Sequence, residues 1–243
     1  MNDTQPHDSE SDETHAKAAP ADDTFQAVLA RLFGPKPDEP IADWLVEAPS
    51  RQLRLAALAL GGLVLYGGVA GLFAGDGQAL VTAAKAPLVV AFALALCLPS
   101  LVVATALAGA RWTARRVAVA ALAFGAGLAL LLVTLLPISW LFTVSSRHLT
   151  SLVVLHVLAW LIALGFAQRA LRNFVPAGAR LALALWTWLF LFVSLQSATY
   201  LQPILWREPG TALFPRPRQF FLEHFAAAAK VELPDEAPPA SAR

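Results

Sequence analysis

The sequence predicts an all-α integral membrane protein: a bundle of about five transmembrane helices behind a disordered acidic N-terminal head. Three observations carry this expectation. Hydrophobic residues make up 57% of the 243 residues and charged residues only 14%, against about 25% charged in an average soluble domain. The charges are also segregated: eleven of the seventeen acidic residues precede Pro49, and none lies between Asp76 and Glu208. That acid-free body holds successive apolar runs, each near the roughly 20 residues needed to cross about 30 Å of hydrocarbon.

In chain order, residues 1–22 carry no large apolar side chain after Met1. Such a segment cannot offset its ordering entropy by burial, so it is expected to be disordered. With no basic stretch followed by an apolar one, a cleaved signal peptide is not expected. Residues 23–48 form a cytoplasmic amphipathic or interfacial segment. Phe25, Val28, Leu29, Leu32 and Phe33 recur at i, i+3, i+4, i+7 and i+8, which makes one stripe of a helix. Asp23 or Thr24 caps its start and Gly34-Pro35 ends it. The stripe is too short to span, so it can lie on lipid, dock on its own bundle, or bind a protein partner. Ile41 to Val46, with Trp44, is expected at the headgroup level.

Residues 49–201 form the spanning domain, with spans at about 55–74, 87–109, 117–137, 152–167 and 181–201. The fourth is the shortest. Trp140, Trp186, Trp188, Tyr200 and Trp206 fall near span ends, where amphipathic rings prefer to sit. Arg51, Arg54, Arg111, Arg115, Arg116, Arg169, Arg172 and Arg180 flank alternate connections, and only Lys85 and Arg147 lie on the others. This asymmetry points to an inside N-terminus and an outside C-terminus. The excess of arginine over lysine and the abundant alanine suggest a bacterial source, so the expected place is a bacterial inner membrane with a cytoplasmic N-terminus and a periplasmic C-terminus. Residues 202–243 form a Pro-rich exposed tail.

The second span holds most of the unusual residues. Pro87 begins or kinks a helix, and Pro99 removes a backbone donor that Ser100 or a neighbouring helix can replace. The expected results are a static kink or a hinged, re-entrant turn. Lys85 is expected to snorkel to the water boundary, with an anion-holding role as the sharper reading. His156 is the plainly intramembrane ionisable side chain, either satisfied by a helix carbonyl or relaying protons. Gly67, Gly71 and Gly75 form a small-residue ladder that lets helix backbones approach closely, within this bundle or against another copy.

Several chemistries are excluded as expectations. With no carboxylate between Gly77 and Arg207, carboxylate-coupled transport has no groups to run on. Nothing matches a serine-hydrolase elbow, a phosphate loop or a zinc spacing, and His148 with His156 on one segment is a poor haem pair. No cofactor, no metal and no catalytic residue are expected. The acidic head argues against nucleic acid, and Cys97, the single cysteine, excludes an intrachain disulfide.

The segment Lys85, Pro87 and Cys97 to Ser100 occurs together with Leu201-Gln202-Pro203 and Gln219 to Phe221. In this combination the chain resembles an uncharacterised family of polytopic bacterial membrane proteins, over roughly Ala79 to Phe221. Gln202 stands where that resemblance leads one to expect a basic residue. Five spans with an inside N-terminus are also similar in layout to the Yip family of vesicle-traffic proteins. That likeness implies a non-enzymatic adaptor or assembly factor that recruits partners through its head. The alternative expectation is a small-solute or ion permease subunit using the proline-broken second span with Lys85 and His156.

Overall fold

A computed structural model describes residues 24–34, 41–74, 76–109, 111–145, 149–175 and 177–200. Among the described residues the chain forms eight α-helices and no strand: α1 (Phe25–Phe33), α2 (Ile41–Glu47), α3 (Pro49–Gly71), α4 (Asp76–Leu107), α5 (Ala114–Thr134), α6 (Leu136–Ser145), α7 (Leu149–Arg172) and α8 (Arg180–Tyr200). Five of them (α3, α4, α5, α7 and α8) are long and apolar enough to cross a membrane. The acidic head, Gly75, His148, Gln202, Pro203 and the C-terminal tail lie outside the described residues.

Helix boundaries follow local chemistry. The Thr24 hydroxyl accepts from the Ala27 amide at the start of α1, and Thr113 accepts from the Arg116 amide at the start of α5. Pro49 occupies the first position of α3, where its missing N–H costs nothing. α4 ends in a turn at Gly109, whose φ of 85° favours glycine.

The bundle is arranged around α5, the most enclosed of the five long helices. α3 packs against both α4 and α5, α7 packs on the other side of α5, and α8 packs on α4. Large apolar side chains point away from the protein: Leu88, Phe92 and Leu96 on α4, and Leu181, Leu185, Trp188 and Phe192 on α8. Lys85, Thr105, His156, Ser194 and Ser197 are instead buried. Apolar outside and polar inside is the arrangement hydrocarbon demands, and the chain is a multi-pass helical membrane protein.

Several expectations need correction. The second span is neither broken nor re-entrant: α4 runs as one helix through Pro87 and Pro99. It starts well before Pro87, because Asp76 to Ala86 continues the same helix. The fourth span is a full α7 of 24 residues. α6 has no counterpart among the expected elements. Leu135 separates it from α5, and Pro137, in its first turn, accounts for the break. Lys85 lies within α4 and is only 2% exposed, so it neither snorkels nor sits in a connection. Trp186 is a core residue rather than an interfacial one.

The apolar stripe on α1 is largely occupied in cis. Val28 and Leu32 are buried in the core, Phe33 stacks on Phe166 of α7 with ring centroids 4.6 Å apart, and Asn173 Nδ2 donates to the Leu32 carbonyl. Leu29 is half-buried and Phe25 exposed. The face offered to a protein partner is thus mostly covered by the chain's own helices.

The glycine ladder divides between two seams. A Cβ at Gly67 would lie 2.7 Å from the Thr82 carbonyl oxygen and 2.6 Å from the Ala86 methyl on α4. One at Gly62 would lie 2.9 Å from Ala129 on α5. Gly71 is buried as well. Small residues thus let α3 sit close to both neighbours, within one chain. We expect Gly67→Leu and Gly62→Leu each to lower thermal stability in detergent, by about 1–3 kcal/mol from overpacking. Gly61→Leu, with nothing within 4 Å of its added Cβ, should leave the melting temperature unchanged.

Candidate functional site

The buried side chains of α4 run the length of the helix, Thr82, Lys85, Val89, Ala93, Cys97, Leu101 and Thr105, and wind partly around it. On α8 the corresponding side chains are Trp186, Phe190, Ser194 and Ser197. The two sets meet where Trp186 Nε1 donates to the Cys97 carbonyl over 2.7 Å. The Ser100 hydroxyl donates to the same carbonyl, also at 2.7 Å. Ser100 therefore serves the carbonyl three residues back rather than that of Ala95, whose amide partner Pro99 removes. Phe124 of α5 closes the contact edge-on to both Trp186 and Phe190, with centroids 5.3 and 4.9 Å away. Aromatic rings in this geometry add stabilisation beyond the area they bury.

This contact sets a register. α7 ends beside α1, where Asn173 reaches Leu32, so α8 starts at that end and runs antiparallel to α4. Counting about 1.5 Å of rise per residue from the Cys97–Trp186 contact, Ser197 comes level with Ala86, next to Lys85. Ser194 comes level with Val89. From α3, Gly67 meets α4 at Thr82 and Ala86, which puts its neighbour Tyr66 at the same height.

The second half of the layer is a hydrogen-bond chain across α3, α6 and α7. Tyr66 Oη lies 2.7 Å from His156 Nδ1, and the rings meet edge-on with centroids 5.5 Å apart. Ser139 and Thr143, on α6, are buried as well. Thr143 Oγ1 donates to the Ser139 carbonyl over 2.6 Å, which uses its one proton. Its 3.5 Å contact with His156 Nε2 then has the ring as donor. Nε2 carries the proton, and Nδ1 accepts from the Tyr66 hydroxyl. His156 is satisfied by side chains from two other helices, not by a carbonyl of its own.

The layer thus gathers Thr82, Lys85, Ser194 and Ser197 on one side and Tyr66, Ser139, Thr143 and His156 on the other, all buried. Two of these hydroxyls stand apart. Thr105 and Thr187 donate to carbonyls one turn back in their own helices, as span hydroxyls commonly do. Thr82 Oγ1 and Ser194 Oγ are buried with no hydrogen-bond partner. Unmet hydroxyls in an interior cost free energy unless something fills them. Among the described residues no three metal-ligating side chains gather.

Lys85 and His156 are singled out by the sequence, and both belong to this layer. The hydroxyls and Tyr66 are not, because serine, threonine and tyrosine are common in spans and an all-apolar helix does not announce its inner face. The spacing of Ser194 and Ser197 on the stripe of Trp186 and Phe190 is the signal that was available. We expect Trp186→Phe to cost about 1 kcal/mol through the lost Cys97 hydrogen bond. Trp188→Phe, at a residue 66% exposed, should cost nothing measurable by thermal unfolding in the same detergent. Compared with protein-family models, curated proteins and solved structures, the chain matches none.

Proposed function

We propose that the chain is a small-solute permease, or a subunit of one, that selects anions at the polar layer. The observation that supports this most is the burial of Lys85 inside the helical bundle, at the height of Ser197 and Tyr66. A cation buried inside a membrane protein's helical bundle is costly to maintain, and such residues commonly mark substrate or ion pathways. Its charge favours anions, and rings of cationic or hydroxyl groups are the usual means of anion selection. Thr82 and Ser194 add hydroxyls that no protein group engages, and the acid-free spans remove competing repulsion.

The adaptor reading loses its main motive, because the α1 stripe that would hold a partner packs on α5 and α7 instead. Deleting residues 1–48 does not separate the two readings, since that removes α1 and α2 together with the buried Val28, Leu32, Ile41 and Leu45. Deleting residues 1–22 does.

The test is flux of chloride, nitrate and acetate into proteoliposomes carrying an anion-sensitive dye. We expect flux above protein-free vesicles, unchanged by deletion of residues 1–22. Lys85→Met should lower it about tenfold or more, as loss of a pathway charge implies, while Lys85→Arg retains part of it. Equal flux through Lys85→Met and wild type, or none for any of the three anions, contradicts the proposal. A partner that co-purifies stoichiometrically and depends on residues 1–22 returns the adaptor to first place.

A further inference from the structure

The opposite end of the bundle, where α2, α3 and α5 meet, carries a different chemistry. Trp44 of α2 is the centre. The Arg51 guanidinium lies over its ring at 4.0 Å and that of Arg31 at 4.7 Å. Arg51 Nη1 donates to the Trp44 carbonyl over 2.7 Å, and Gln52 Nε2 donates to those of Leu45 and Val46 at 3.0 Å each. Arg116 of α5 bridges to Asp43 of α2 at 3.3 Å, an exposed pair that ties the two helices at this junction.

Three nitrogens at the junction have no acceptor. Trp44 Nε1, Arg54 Nη1 and Trp112 Nε1 are each buried without a hydrogen-bond partner. Arg54 lies one helical turn beyond Arg51, and Trp112 one turn before Arg116. All three are donors, and an indole N–H and a guanidinium cannot satisfy one another. One unmet donor is common; three carried by α2, α3 and the segment leading into α5, beside two further arginines, leave a need for an acceptor that the described residues do not supply.

We propose that this junction is a binding site for a phosphate oxyanion, filled by the phosphodiester of an anionic phospholipid. Phosphate offers several acceptor oxygens and a charge, which matches a set of indole and guanidinium donors. The lipid is favoured over free phosphate by what surrounds the site. Leu53 and Leu60 of α3, near Arg54 in the chain, both point away from the protein and offer an apolar surface to an acyl chain. The three donor residues are each partly exposed while the nitrogens themselves are covered, so the Arg54 side chain must turn for Nη1 to meet a headgroup. This site is independent of the polar layer and of the permease reading.

The experiment is native mass spectrometry of the full-length protein in detergent, titrated with phosphatidylglycerol, with phosphatidylcholine, or with inorganic phosphate. We expect phosphatidylglycerol to be retained in preference to phosphatidylcholine. Arg54→Gln should weaken retention about tenfold, the loss of one charge-assisted hydrogen bond. Arg54→Lys should restore part of it, and Trp112→Phe should weaken it further while the melting temperature holds. Arg180→Gln, an exposed arginine at the same end of the bundle, is the control for diffuse attraction and should have no effect. Equal retention of the two lipids, equal losses in Arg54→Gln and Arg180→Gln, or Arg54-dependent binding of inorganic phosphate without the lipid each overturns the proposal.

Discussion

In hydrocarbon a buried hydroxyl, amide or imidazole has no water as an alternative partner, and apolar contact between helices gains nothing over contact with lipid. The bundle is organised by that constraint. The Trp186 indole reaches the Cys97 carbonyl across two helices. The Tyr66, His156, Thr143 and Ser139 chain joins three more elements. α6 depends on the same requirement. It is a short helix with outward apolar side chains, and its two buried hydroxyls, one turn apart, face the tyrosine and the histidine.

Close packing supplies what polar contacts do not. Gly62 and Gly67 bring α3 against α5 and α4 at distances that admit no side chain, and Gly127 does the same for α5 beside the Ala167 backbone and the Phe33 ring. That last contact ties α1 to the bundle: its terminal phenylalanine fills a space the glycine opens. α1 and the spanning helices are therefore packed together, and the bundle has two chemically distinct ends. A donor-rich junction lies under α2, and a mixed hydroxyl, imidazole and ammonium layer lies at the other end.

Much of this was legible in the sequence. The absence of carboxylates from Gly77 to Arg207 and the span-length apolar runs are sufficient for the five-helix membrane fold, because length and hydropathy act locally. The prolines mislead. Pro87 and Pro99 suggest a break, but a helix surrounded by neighbours accommodates a missing donor, and α4 continues. Lys85 reads as a boundary residue only if the helix starts near Pro87. About ten more residues of helix before it carry the lysine inward. The pairing of Tyr66 with His156, ninety positions apart, depends on tertiary packing, and no local spacing encodes it.

The central claim is that Lys85 is buried inside the bundle near the height of Ser197 rather than facing lipid. The direct measurement is proximity. In a Cys97→Ala background, cysteines are placed at Lys85 and Ser197 and treated in native membranes with a short bifunctional thiol reagent. A second pair combines Ser197 with Leu88, which is 56% exposed and on the outward side of α4. The structure predicts efficient intramolecular cross-linking of the first pair and little of the second. Cross-linking through Leu88 and not through Lys85 would mean that α4 is rotated, with its lysine outward, and the polar layer would not exist as described.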